Sequence, residues 1–110
     1  MKDLTTYFVS KNIIFKKLTE IEPKELGSRK KIRIFDGIGI DKNYYAIFIL
    51  NQKSRFLRKN AHDLMDMSNK LIDLKEHNYK KKLLLISSPL CSHAKDLLKQ
   101  NGWSVRIDFM

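Results

Sequence analysis

The chain has 110 residues, 43% of them apolar, and its 22 Lys and Arg against 12 Asp and Glu give a formal charge of +10 at pH 7. This length predicts a single domain over residues 1–110, and the apolar content excludes a wholly disordered chain. One cysteine excludes a disulfide framework and a multi-cysteine zinc site, and no apolar run reaches the roughly 20 residues of a membrane span. Because the first residues lack the pattern of a signal peptide, we expect a cytoplasmic protein with no role for a membrane.

The N-terminal half predicts one helix and two strands. Apolar residues between positions 4 and 18 recur at a helical spacing, with an expected interruption near residues 10–12. Residues 31–36 begin with alternating basic and apolar side chains, as a half-buried strand does. Residues 44–50 are continuously apolar and aromatic, which indicates a central strand that is covered on both faces. The Gly-containing segment 37–43 is expected to join these two strands.

The C-terminal half predicts two helices that alternate with two strands. Residues 57–75 carry apolar side chains at the three- and four-residue spacing of one long helix, and a short apolar run over 83–86 indicates a buried strand. Ser88 is expected to cap a second helix that begins at the following proline and ends before Gly102 in a left-handed conformation. Alternation over 103–109 predicts a last strand with one buried face. These elements indicate a β-α-β unit with a right-handed crossover.

The predicted order is therefore helix, strand, strand, long helix, strand, helix, strand. It indicates an α/β fold, namely a single three-layer domain with a mixed β-sheet, helices on both faces and a C-terminal β-α-β unit. The order resembles the core of the restriction-endonuclease-like, PD-(D/E)XK superfamily, and the similarity runs from Ile34 to about Arg106. Asp36, in Phe-Asp-Gly, looks like the acidic position at a strand end of that family. Residues 45–51 look like the strand that bears Glu-x-Lys, and residues 54–58 resemble the start of the next helix.

The resemblance also implies a metal site, from which the sequence departs. In that family, paired acids hold a divalent cation and a lysine supports the reacting oxygen. Asp36 supplies one acid, but the second acid is missing near Ile49 and the lysine is missing near Asn51, while Lys53 cannot replace an acid. One carboxylate alone is a poor site for a hard cation, so we expect no catalytic residue, no metal and no cofactor. An open alternative pairs Asp36 with Asp41 beside the Gly-rich turn, although turns favour Asp for their own structure.

The surplus of positive charge attracts polyanions, of which nucleic acid is the commonest. The best candidate for phosphate contacts is the start of the long helix, where side chains and free backbone amides act together, although a solvated helix start has the same composition. The expected nucleic-acid-binding residues, in order of rank, are Lys53, Arg55, Arg58 and Lys59, followed by Arg29, Lys30, Lys31 and Arg33. A third basic segment, residues 80–82, is expected to form a turn.

These patterns favour a non-catalytic nucleic-acid-binding domain on a degenerate nuclease-like scaffold, with DNA or RNA as its partner and little sequence preference. An alternative is a small protein–protein interaction subunit or homodimer of an intracellular complex, because Met67 and Leu74 predict a second apolar stripe on the long helix. Burial under the N-terminal segment explains that stripe equally well. A metal-dependent nuclease is the third interpretation. Four aromatic residues are assigned to the core rather than to base stacking: Tyr44, Tyr45, Phe48 and Trp103.

Overall fold

The computed structural model describes residues 4–27, 32–51, 54–76 and 78–107. In chain order, the elements are α1 (Leu4–Ser10), β1 (Phe15–Ile21), a 3-10 turn (Pro23–Leu26), β2 (Arg33–Gly39), β3 (Tyr44–Leu50), α2 (Arg58–Lys75), β4 (Lys81–Ile86), α3 (Ser92–Gln100) and β5 (Trp103–Arg106). The strands form a sheet in the order β1-β2-β3-β4-β5. β1, β2 and β3 pair antiparallel, whereas β3, β4 and β5 pair parallel. Of the helices in these ranges, none combines the length and the apolar character that a membrane span needs.

β3 lies in the middle of the sheet and packs against apolar side chains on both faces. Its residues 45, 47 and 49 form one buried cluster with Tyr7 and Phe8 of α1. Residues 46 and 48 belong to a second cluster, on the other face, which α2 and α3 cover. The predicted fold is therefore confirmed, because a mixed sheet lies between helices on both faces and β4, α3 and β5 form a parallel β-α-β unit.

The N-terminal segment differs from the predicted helix through residue 18. α1 ends near the predicted interruption, where Asn12 adopts a left-handed φ of 65°, and the chain then forms β1. The pairing of β1 with β2 has an irregular register between Phe15 and Lys17. Because of this bulge, Phe15 and Leu18 pack on the same face of the sheet although they lie three residues apart. The apolar residues of this bulged strand therefore have the three-residue spacing that is typical of a helix.

α2 agrees with the predicted long helix, but α3 begins at Ser92 rather than at Pro89. The segment before α3 stays extended because Phe56 forms an isolated parallel bridge with it. The Phe56 N–H donates to the Pro89 carbonyl at 2.8 Å, and the Cys91 N–H donates to the Phe56 carbonyl at 3.0 Å. The prediction that Ser88 caps the helix is therefore wrong. Gly102 has the expected left-handed conformation after α3, with a φ of 84°.

Side-chain burial corrects two further predictions. Of the four aromatic residues assigned to the core, three are buried, but Tyr44 is 38% exposed. Met67 is buried whereas Leu74 is 45% exposed, so the two side chains do not form one apolar stripe. Met67 shares its cluster with Ile21 and Leu26, from the end of β1 and the 3-10 turn, which agrees with burial under the N-terminal segment.

Candidate nucleic-acid interface

The three parallel strands end at the same edge of the sheet, and α2 and α3 begin there. β3 leads into α2 and β4 leads into α3, and each helix returns the chain to the start of the next parallel strand. In open α/β sheets, ligands bind outside the carboxyl ends of such strands. We call this surface the carboxyl edge and define it as residues 50–51, 54–59 and 86–95.

A main-chain link holds the starts of α2 and α3 side by side. The two hydrogen bonds of Phe56 tie the segment before α2 to the segment before α3. The Phe56 side chain is only 1% exposed, so it anchors this link in the core. Asn60 Oδ1 accepts a hydrogen bond from the Leu57 N–H at 2.8 Å and fixes the first turn of α2. As a result, two helix N-termini direct their partial positive charges toward one edge.

Cationic side chains add to the field of the two helices. Three of the predicted binding residues, Arg55, Arg58 and Lys59, are exposed at the start of α2. Neither α2 nor α3 has an acidic residue in its first turn, where a carboxylate would stabilise the helix. Positive charge at a helix N-terminus is unfavourable for the helix itself. Arg58 and Lys59 therefore do not stabilise the start of α2.

The Cys91 thiol lies where α3 begins and contacts the backbone amides of its first turn. Its pKa is lowered, chiefly because the backbone N–H groups of Ala94 and then His93 donate to the sulfur. Burial opposes this shift, and the charge of Arg55 adds to it. The Arg55 charge therefore acts on the start of α3 as well as on the start of α2.

Arg33 is the one residue of the second predicted cluster that the structure describes, and it lies near the carboxyl edge. Arg33 is the first residue of β2 and pairs with Ile49, near the end of β3. Its Nε lies 3.2 Å from a carboxylate oxygen of Glu20, and its guanidinium lies 5.1 Å from the centre of the Phe35 ring. The charge of Arg33 is thus partly compensated. The other predicted residues Arg29, Lys30, Lys31 and Lys53 lie outside the described residues.

The basic segment 80–82 lies at the opposite edge of the sheet. Lys81 is the first residue of β4 and pairs with Tyr45, near the beginning of β3. This segment therefore begins a strand, which differs from the predicted turn. Lys80 and Lys81 are both exposed. They offer a control pair with the same charge as Arg55 and Arg58 at the far end of the strands.

The two candidate carboxylates point to opposite faces of the sheet. Asp36 lies beside Tyr79, whose pKa is raised mainly by burial and further by the negative charge of Asp36. Asp41 lies in the turn between β2 and β3 and accepts a hydrogen bond from the Tyr45 hydroxyl at 2.8 Å. Tyr79 belongs to the cluster under α2 and α3, whereas Tyr45 belongs to the cluster under α1. The alternative site that pairs Asp36 with Asp41 is therefore not formed.

The positions where the resemblance implies a second acid and a lysine carry other side chains. Ile49 is buried in the cluster under α1. Asn51 Oδ1 accepts a hydrogen bond from the Ser87 hydroxyl at 2.7 Å. In the described part of the chain, no three His, Cys, Asp or Glu residues come together as a metal-binding group. Ile49 offers no metal-binding atom and Asn51 offers only a neutral amide, so these two positions do not fit the paired-acid metal site that the resemblance implies.

A pocket of about 570 Å³ opens between the ends of β4 and β5 and the start of α3. Its lining includes Ile86, Ser87, Ser88, Lys95 and Val105. Sequence reasoning missed this pocket because it assigned Ser88 to a helix cap. The signal was present as two adjacent hydroxyl residues between a buried strand and a helix.

Comparison with known proteins supports the fold. The sequence matches no protein-family model and no curated protein. It is similar to the crystal structure of a repair endonuclease from Pyrococcus abyssi, with a TM-score of 0.50 and 19% identity over 83% of this chain and 38% of that chain. It is also similar to the structure of EndoMS in apo form, with a TM-score of 0.56 and 14% identity over 96% of this chain and 47% of that chain. The chain thus spans less than half the length of either structure. The similarity shows that it has a nuclease-like fold.

Proposed function

We propose that residues 1–110 form a nucleic-acid-binding domain without nuclease activity, built on a nuclease-like scaffold. The observation that carries this proposal is the meeting of two helix N-termini and the exposed cations of α2 at the carboxyl edge. Helix N-termini and Arg or Lys side chains are the groups that hold phosphates in nucleic-acid complexes. The formal charge of +10 adds a long-range attraction. Similarity to repair endonucleases favours nucleic acid over other polyanions by analogy of fold.

The proposed contacts are to the phosphate backbone, so binding carries little sequence information. Arg55 and Arg58 offer planar guanidinium groups that bind phosphate through two N–H groups, and Lys59 offers a point charge beside them. Arg33 contributes less in this account because it is paired with Glu20. The remaining predicted residues, Arg29, Lys30, Lys31 and Lys53, stay part of the proposal.

The first prediction concerns binding and its dependence on salt. Affinity for a labelled DNA duplex and for a single strand is measured at several salt concentrations. If Arg55, Arg58 and Lys59 each contact one phosphate, they alone contribute about −2.7 to the slope of log K against log salt on the duplex, and hence a roughly fortyfold loss between 50 and 200 mM salt. Contacts by the other proposed residues would make the slope steeper. Absence of binding at low salt would overturn the proposal, and salt-independent binding would remove the phosphate contacts from it.

A second assay on the same kinds of nucleic acid tests whether binding is accompanied by cleavage. The bound duplex, a plasmid and an RNA are incubated with Mg²⁺ or Mn²⁺, and we expect each to stay intact because the residues that pair with Asp36 in the neighbouring strands, Thr19 and Ala46, are not acidic. The variant Asp36→Ala is expected to behave identically. Cleavage by the wild type that is lost in Asp36→Ala would replace the proposal with a metal-dependent nuclease.

A further inference from the structure

The pocket beside α3 contains a buried hydroxyl that the fold does not use. Ser88 lines the pocket and is 6% exposed. Its Oγ has no hydrogen-bond partner within the described residues. A buried hydroxyl without a partner destabilises a protein. A ligand oxygen in the pocket would give this hydroxyl an acceptor after rotation about its side-chain bond.

The other polar groups of the pocket favour an anionic ligand. Lys95 lines the pocket from the second turn of α3, and helical side chains lean toward the helix N-terminus, which is where the pocket lies. The first turn of α3 has no acidic residue, so the helix dipole reinforces the charge of Lys95. None of the described residues that line the pocket is acidic. The His93 and Ala94 amides already bind the Cys91 sulfur, so side chains make the contacts.

The volume and the remaining lining favour the end of a strand over its middle. Apolar residues, Val105 and Ile107 among them, form much of the lining and suit a sugar or base next to a phosphate. The volume of about 570 Å³ lies within the range of small-ligand pockets, about 300–1,000 Å³. A terminal phosphate monoester carries nearly two negative charges at pH 7 and three free oxygens, whereas an internal phosphodiester carries one charge. A terminal nucleotide also needs only one opening in the pocket, because the strand continues from it in one direction.

We infer that this pocket binds the terminal phosphomonoester of a nucleic-acid strand, with Ser88 and Lys95 as its phosphate contacts. Val105 and Ile107, which are more exposed than the Ile86 of the same lining, pack against the last nucleotide. The inference rests on the proposed function, because Arg55 and Arg58 hold the rest of the strand along the carboxyl edge. The pocket would therefore give the domain a preference for strand ends, in addition to backbone binding that carries little sequence preference.

The test compares single strands of one sequence that carry a 5′-phosphate, a 3′-phosphate or hydroxyls at both ends. One phosphorylated form is expected to bind about tenfold more tightly than the hydroxyl-ended form, as a charged hydrogen-bonded contact provides. This preference is expected to disappear in Ser88→Ala and in Lys95→Gln. Ser88→Ala removes a hydroxyl without a partner, so it should fold normally, which a thermal melt checks.

Lys99→Gln is the matched control, because Lys99 is exposed on the same helix but does not line the pocket. It should keep the preference for the phosphorylated end. Equal affinity of the wild type for all three strands would overturn the pocket inference and leave the proposed function intact. A preference that survives both pocket variants, or equally strong competition by a nucleoside monophosphate, would also overturn it. Failure to bind any strand would count against the proposed function itself.

Discussion

The double variant Arg55→Ala/Arg58→Ala is expected to bind duplex DNA more weakly, and equally so for every sequence. If both guanidinium groups contact phosphates, the slope of log K against log salt becomes shallower by about 1.8. At 0.1 M salt, the lost counterion release corresponds to a roughly sixtyfold loss of affinity. Both side chains are exposed, so each substitution should change the free energy of unfolding by less than about 0.5 kcal/mol. Anisotropy titrations over a series of salt concentrations measure both quantities.

The matched control is Lys80→Ala/Lys81→Ala, which removes the same charge from the opposite edge of the sheet. It lowers the overall attraction equally but should leave the slope nearly unchanged. Equal losses of slope in the two double variants would show that net charge alone drives binding. An unchanged slope in the arginine variant would mean that Arg55 and Arg58 do not contact phosphates, and the segment 29–33 would be tested next. An unfolded arginine variant would show that these side chains are structural.

The second large effect is expected from Phe48→Ala, in the core beneath α2 and α3. Phe48 is fully buried, and its ring centre lies 5.3 Å from that of Trp103. Truncating a buried phenylalanine costs about 3–5 kcal/mol, through lost burial and the cavity left behind. That loss is a large share of the roughly 5–15 kcal/mol that stabilises a domain. Urea unfolding can be followed by the fluorescence of Trp103, the one tryptophan of the chain.

Ile40→Ala serves as the control for this prediction. Ile40 follows β2 in the hairpin turn and is 63% exposed, so its truncation should cost less than about 0.5 kcal/mol. A loss below about 1 kcal/mol in Phe48→Ala would mean that the core is not packed as described. Comparable losses in both variants would indicate a general effect of removing apolar groups.

The central part of the fold could be predicted because its sequence patterns have one physical meaning. Residues 44–50 are apolar on both sides of the chain, and the structure buries both sides of β3. The long helix was also predictable, since eighteen residues of regular spacing leave room for few alternatives. Gly102 takes its left-handed conformation where a helix needs to end.

Two other segments could not be predicted because contacts distant in sequence decide them. The bulge that places Phe15 and Leu18 on one face exists only in the pairing of β1 with β2. The late start of α3 depends on hydrogen bonds with Phe56, more than thirty residues earlier in the chain. Local patterns favoured a helix in both places, and tertiary pairing overrode them.

The candidate site was predictable in its residue types and not in its arrangement. Charge density alone singled out Arg55, Arg58 and Lys59, which the structure places at the start of α2. That α3 begins beside them follows from the parallel order of β3 and β4, which the sequence does not contain directly. The pairing of Arg33 with Glu20 likewise depends on the register of β1 against β2.

The most direct test of the account is a map of backbone amide chemical shifts during titration of isotope-labelled protein with a short DNA duplex at low salt. The account predicts that the largest shifts occur at the carboxyl edge, in residues 54–59 and 86–95. Residues 41–43 and 101–102, at the opposite edge, should change little. Largest shifts at that opposite edge or on the face covered by α1, or no shifts at all, would contradict the claim that the carboxyl edge binds nucleic acid.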